Sequence, residues 1–100
     1  MNTQKLRRQH PDRVPVILKR SGNCTLPELE RTQYLVPRSI TLGSFTCTLR
    51  SVMKLNQSEG LILFINKELP PFSLTFDEMD EKYSVDGLLT ISIASESVFG

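Results

Sequence analysis

One hundred residues, 39% apolar and 23% charged with no long biased tract, make one compact domain and exclude two ordinary domains or wholesale disorder. The formal charge of +1 gives little drive toward nucleic acid or an anionic membrane. That total conceals a split: residues 1–50 carry nine basic and three acidic side chains and residues 51–100 carry three and eight, so a dipolar domain is expected.

The basic opening, Lys5 to Arg8, reads as a short helix with one apolar residue, Leu6, and stops before Pro11. Val14 to Leu18 is apolar on both alternate sets of positions and predicts a strand covered on both faces, with Pro15 marking an edge or a strand start. A second strand, Tyr34-Leu35-Val36, ends at Pro37. Thr41 is the expected N-cap of a helix, with Ile40 and Phe45 as its hydrophobic staple and Leu42, Phe45, Leu49, Val52 and Met53 as its buried stripe. Leu61 to Ile65 lacks alternation and predicts a central strand, followed by a turn at Asn66-Lys67 and a brief return to Pro70-Pro71. Thr75 and Glu78 form a capping box, flanked by the staple pair Leu74 and Met79, for a helix to about Tyr83. Leu89, Ile91 and Ile93 alternate with Thr90 and Ser92 in a last strand. This order predicts an α+β ubiquitin-like β-grasp roll, a mixed sheet with two helices on one face. The expected division is a basic segment over 1–12, the ubiquitin-like domain over 13–94 and a tail over 95–100.

No residue cluster suggests catalysis. His10 stands alone in an exposed basic segment, and Cys24 and Cys47, 23 residues apart, match neither a redox pair nor a zinc spacing and are read as free thiols. Asp77, Glu78, Asp80 and Glu81 lack the loop spacing of a calcium site and read as a solvated helix face. No phosphate-binding glycine motif occurs, so neither enzyme activity, metal nor cofactor is expected. The longest apolar run, Leu61 to Ile65, is far short of the roughly 20 residues of a spanning helix. The start has no apolar signal region, which makes the cytoplasm the expected compartment and leaves the sequons at Asn23 and Asn56 without a role. Lys5, Arg7, Arg8, Arg13, Lys19 and Arg20 could track phosphates, but no aromatic residue interleaves them to stack on bases, so no nucleic acid is expected. If the long helix covers one sheet face, Ile17, Leu35 and Leu88 on the other need a cover that Leu6 alone does not supply. Exposed apolar surface beside a basic rim marks a recognition site, and an extended peptide added at the sheet edge suits it.

Four segments, His10 to Ile17, Tyr34-Leu35-Val36-Pro37, Asn66 to Pro71, and Glu96-Ser97-Val98-Phe99-Gly100, fall in order with matching spacing. With them the chain resembles the GABARAP-like autophagy modifiers from about Lys5 to Gly100. The resemblance implies a ubiquitin-like core without catalysis of its own, conjugated through Gly100 to phosphatidylethanolamine on autophagosomal membranes. It implies as partners the activating-like and conjugating-like enzymes of autophagy, a delipidating cysteine protease, and cargo receptors with aromatic-x-x-aliphatic motifs. A glycine end suits this chemistry, because a residue without a side chain enters a narrow activating site. Against family length, the chain reads as a shortened modifier in mature form, its N-terminal helical segment being the shortened part. Carried over by position, the aromatic pocket would use Leu6, Pro15, Ile17, Leu35 and Leu88, and the aliphatic pocket Tyr34, Val36, Pro37, Ile40, Phe45 and Leu49. Phe45 and Leu49 serve the core equally well. Arg13 and Arg50 would form a basic rim toward acidic partner residues. The chain departs from the family pattern at Gln33 (usually lysine), Thr48 (usually aliphatic), Val52 (usually arginine) and Gly87-Leu88 (usually bulkier), all of which bear on groove affinity and partner choice. The alternative is a ubiquitin-like adaptor that docks motif peptides without being conjugated.

Overall fold

The computed structural model describes residues 2–22, Cys24 and residues 26–96, the side chain of Glu96 apart. Its elements are α1 (Thr3–Gln9), β1 (Arg13–Arg20), β2 (Gln33–Pro37), α2 (Leu42–Val52), β3 (Gly60–Phe64), α3 (Phe76–Tyr83) and β4 (Leu89–Glu96). The sheet order is β2-β1-β4-β3. The central pair β1 and β4 is parallel, while β2 and β3 join antiparallel at the two edges. This is the expected ubiquitin-like α+β roll, with α2 and α3 against one sheet face.

Strand periodicity divides the sheet into two unequal faces. Val14, Val16 and Leu18 of β1 share the inner face with Leu89, Ile91 and Ile93 of β4 and Leu61 and Leu63 of β3, and all are buried. On them pack Leu42, Phe45, Leu49 and Met53 of the α2 segment and Phe76 and Met79 of α3. Val52, expected in the same stripe, is instead 60% exposed, because at the last turn of α2 the core covers the Met53 side of the helix and not the Val52 side.

Both core helices start where local chemistry says. Thr41 accepts from the Ser44 amide, and Thr75 and Glu78 complete a reciprocal capping box. The remaining first-turn amides are satisfied crosswise. Leu42 and Gly43 donate to the carbonyls of Leu74 and Phe72 at 2.8 and 2.9 Å, while Phe76 and Asp77 donate to those of Ile40 and Arg38 at 2.9 and 3.0 Å. The lead-in of each helix thus caps the other. Gly43 is needed at this crossing, since a Cβ there would stand 3.2 Å from the Phe72 Cβ and 3.3 Å from its carbonyl oxygen.

Two strand expectations change. The β3 strand is an edge, not a central strand: Leu61, Leu63 and Ile65 are buried on the inner face, whereas Ile62 and Phe64 are only half-buried on the outer one. Pro15 lies in an interior strand, tolerated because pairing with β4 begins one residue later, at Val16 with Leu89. The return after β3 is a two-residue turn, with Asn66 and Lys67 at φ 51° and 67° and Ile65 and Glu68 exchanging hydrogen bonds.

Candidate functional site

The outer face belongs to α1, which packs on β1, and to edge strand β2. Between them lies an open groove of about 400 Å³ lined by Leu6, Arg13, Arg31, Gln33, Tyr34 and Leu35. Leu6 and Leu35 make its apolar surface, and the two arginines give it a basic mouth.

The exposed edge of β2 carries main-chain groups that no strand pairs, its Gln33 carbonyl accepting from Arg31 Nε at 3.2 Å. Arg38 N–H donates to the Asp12 carbonyl at 3.1 Å and Leu18 N–H to the Thr32 carbonyl at 2.8 Å, so the even-numbered residues of β1 and β2 form the hydrogen-bonded pairs. By the alternation of antiparallel ladders, Gln33 and Leu35 aim their N–H and C=O groups away from β1. Pro15, the register partner of Leu35, has no N–H to offer it in any case. The Leu35 carbonyl is met by Arg13 Nη1 at 3.4 Å. An extended chain laid along this edge finds a ladder to join and side-chain positions on both sides of it.

Of the residues carried over from the resemblance, Leu6, Arg13, Tyr34 and Leu35 come together on the groove. Pro15 is fully buried, and Ile17 and Leu88 are half-buried on the outer side without lining it. In the other set, Val36, Phe45 and Leu49 sit in the core, and Tyr34, Pro37 and Ile40 are half-buried. Tyr34 links the two regions: its ring meets Phe45 edge-on at 5.8 Å, and Phe45 meets Phe76 at 5.1 Å. A second opening of about 450 Å³ shares Tyr34 and Arg31 with the groove and is walled by Leu29, Val52 and Met53. Arg50 is absent from the groove lining and donates to the carbonyls of Glu59 and Asn56 at 2.7 and 2.8 Å, pinning the turn after α2. Gly100 lies outside the described residues.

Arg31 is the groove residue that the sequence reading missed. Its guanidinium stands 5.4 Å from the Tyr34 ring centroid. The signal was present, since Arg31 precedes Gln33 and Leu35 at the spacing of one strand face. Gln33, the departure from lysine, lies in the same lining. Thr48 and Val52 are exposed on α2.

What holds α1 at the groove is polar. Arg7 donates to Asp80 of α3 through Nη1 at 3.0 Å and Nη2 at 2.6 Å, and through Nε to the Gly87 carbonyl at 2.9 Å. Arg38 donates through Nη1 to Asp80 at 2.9 Å and to Asp77 at 3.0 Å, and Ser84 donates to Asp80 as well. The acidic cluster is therefore not a uniformly solvated helix face: the Asp80 side chain is 11% exposed and paired with two arginines. These pairs also join basic residues of the first half to acidic ones of the second, offsetting part of the expected dipole. Arg20 is likewise engaged within its own loop, by the carbonyls of Cys24 and Leu26.

Burial alone would raise the Asp80 carboxyl, but hydrogen bonds from Arg7, Ser84 and Arg38 and the charge of Arg7 outweigh it and hold it at about 2. The same pairing raises Arg7. A depressed carboxylate stabilises the fold above its unfolded value of about 3.9 and ceases to do so as pH falls toward the folded one. The advantage of the wild type over Asp80→Asn, on the order of 2 kcal/mol, should be constant from pH 7 to about 5 and shrink below about 4. Urea unfolding of both proteins across that range measures it.

Among the described residues no cluster of His, Cys, Asp or Glu could hold a metal, and no helix is long and apolar enough to cross a membrane. The family model for "Autophagy protein Atg8 ubiquitin like" matches residues 1–100. The crystal structure of Trypanosoma brucei ATG8 is similar over 99% of this chain and 86% of its own, with 32% sequence identity and a TM-score of 0.87. Plasmodium falciparum Atg8, solved in complex with a Plasmodium falciparum Atg3 peptide, is similar over 95% of this chain and 85% of its own, with 28% identity and a TM-score of 0.85. With the ubiquitin-like roll in place and a family match along its whole length, this chain belongs to the Atg8 family of ubiquitin-like autophagy proteins.

Proposed function

We propose that this chain is a GABARAP-like modifier, without catalytic activity, that is joined through Gly100 to phosphatidylethanolamine on autophagosomal membranes and docks cargo receptors through aromatic-x-x-aliphatic motifs. The observation that carries the docking half is the apolar, basic-mouthed groove beside the open edge of β2. The motif's aromatic residue enters between Leu6 and Leu35, its backbone continues the sheet along Gln33 and Leu35, and acidic neighbours meet Arg13 and Arg31. The GABARAP-like assignment rests on the four motifs, and the conjugation half on the family and its tail. The relative solved with an Atg3 peptide supports a conjugating-like enzyme as partner. An activating-like enzyme adenylates the Gly100 carboxylate with ATP, releasing pyrophosphate. An enzyme thiol displaces AMP to form a thioester, which passes to a second thiol. The lipid amine displaces that thiol to form an amide, and a cysteine protease hydrolyses the amide with water. Two acyl chains then anchor the protein, each buried CH₂ contributing about 0.8 kcal/mol. The protein is cytoplasmic until that step and membrane-bound after it.

The test combines the purified chain with autophagy activating and conjugating enzymes, ATP and vesicles containing phosphatidylethanolamine. Wild type should give a lipid-linked species and Gly100→Ala none. Absence of that species from the wild type, or its formation by Gly100→Ala, overturns the conjugation reading. Peptide binding that persists without a lipid-linked form would instead identify a non-conjugated adaptor.

A further inference from the structure

Helix α1 supplies one wall of the groove, yet little apolar burial holds it there. None of its seven residues is buried, and Leu6, its groove residue, is only half covered. A helix this short is unstable in isolation, far below the roughly 12–15 residues at which isolated helices become even marginal. Its N-cap, Asn2 accepting from the Lys5 amide, shapes the first turn but ties the helix to nothing else. The ties that cross to the rest of the fold are the bidentate Arg7–Asp80 pair, the Arg7 bond to the Gly87 carbonyl, and the Thr3 hydroxyl donating to the Asp86 carbonyl at 3.1 Å. Gly87 is shaped for this contact. Its φ is +79°, and a Cβ there would stand 3.1 Å from Thr3 Oγ1 and 3.2 Å from Arg7 Nε.

We propose that Arg7 and Asp80 are positioning residues of the groove: their pairing, seated on the Gly87 carbonyl, docks α1 so that Leu6 stands opposite Leu35. This rests on the reading that the groove takes aromatic-x-x-aliphatic peptides. Neither residue needs to touch the peptide, since Asp80 lies on α3 and is absent from the groove lining, as is Arg7. Arg38 holds the Asp80 carboxylate from the other side and bonds the Pro11 carbonyl through Nε at 2.9 Å, so the segment after α1 is tied to the same acid. A fork-to-carboxylate pair fixes direction as well as distance, which a point charge does not. When the pair is broken, the groove is complete only in the fraction of molecules with α1 docked, and apparent affinity falls by that fraction.

The experiment measures binding of a fluorescein-labelled peptide with a Trp-x-x-Leu core and acidic flanks, and amide hydrogen exchange of residues 3–9 and of β4, in the full chain. Arg7→Gln and Asp80→Asn should each weaken binding about tenfold and speed exchange in α1 by local opening, while β4 exchange rises only by the loss of global stability and stays far slower than that of α1. Arg7→Gln, on the outer helix, keeps the test valid should Asp80→Asn fail to fold. The double variant should lose clearly less than the sum of the two single losses, because both remove the same pair. Leu6→Ala should weaken binding while α1 still exchanges slowly, separating the wall from what holds it. Slow α1 exchange in both single variants overturns the docking role. Fast exchange with unchanged affinity overturns the link to the groove and leaves the groove reading standing. Failure of the wild type to bind the peptide overturns the groove reading and this proposal with it.

Discussion

Phe76→Ala should destabilise the protein by about 3–5 kcal/mol, against the roughly 5–15 kcal/mol that holds a domain of this size folded. Phe76 is fully buried at the first turn of α3, where its amide also closes the crossing between the two helix starts. Removing the ring leaves a cavity under β1 and β4 and deletes the edge contact with Phe45 at 5.1 Å. Urea unfolding followed by circular dichroism should show a much lower midpoint with an unchanged slope. A loss under about 1 kcal/mol would mean that the site collapses around the cavity and that Phe76 is not the keystone its burial indicates. The effect should extend to the groove, because Phe45 also supports Tyr34, which lines it.

Leu35→Asp should do the reverse, sparing the fold and removing peptide binding. Leu35 is half-buried on the outer face, away from the core that α2 and α3 cover, so the change should cost at most about 1 kcal/mol of stability. In the complex, however, the new carboxylate would replace the apolar wall against the motif's aromatic ring and compete with the motif's acidic flanks for Arg13 and Arg31. Desolvating a charge against an aromatic ring and losing the apolar contact together cost several kcal/mol, and affinity for a Trp-x-x-Leu peptide should fall at least about a hundredfold. Fluorescence anisotropy measures the loss and thermal unfolding checks the fold. Binding within about twofold of wild type would place the docking surface elsewhere.

The two substitutions lie a few residues from elements that differ in how legible they are. Thr75 and Glu78 announce α3 within four residues of sequence, and the structure shows both halves of their capping box. Thr41 does the same for α2. The alternation of β4 separates buried Leu89, Ile91 and Ile93 from their half-buried neighbours with no knowledge of what covers them. The groove was partly readable: Leu6, Tyr34 and Leu35 followed from the resemblance, and Arg31 was two period-two steps back from Leu35, just before the strand.

The sequence by itself determined where helices begin, which strand residues share a face and which family the motifs resemble, because caps, periodicity and short motifs act over a few neighbouring residues. Tertiary structure alone decided which strands are edges, since an apolar run such as Leu61 to Ile65 carries the same side chains whether one neighbour or two flank it. It decided that Val52 leaves the core while Met53 beside it stays, because the width of a stripe is set by what lies opposite it. It also decided the role of Asp80. On the helix surface this carboxylate is one of four acidic residues, and only the approach of Arg7, 73 positions away, and of Arg38 makes it the point where α1 is held. Contacts between residues so far apart depend on the whole topology being in place, so no local pattern announces them.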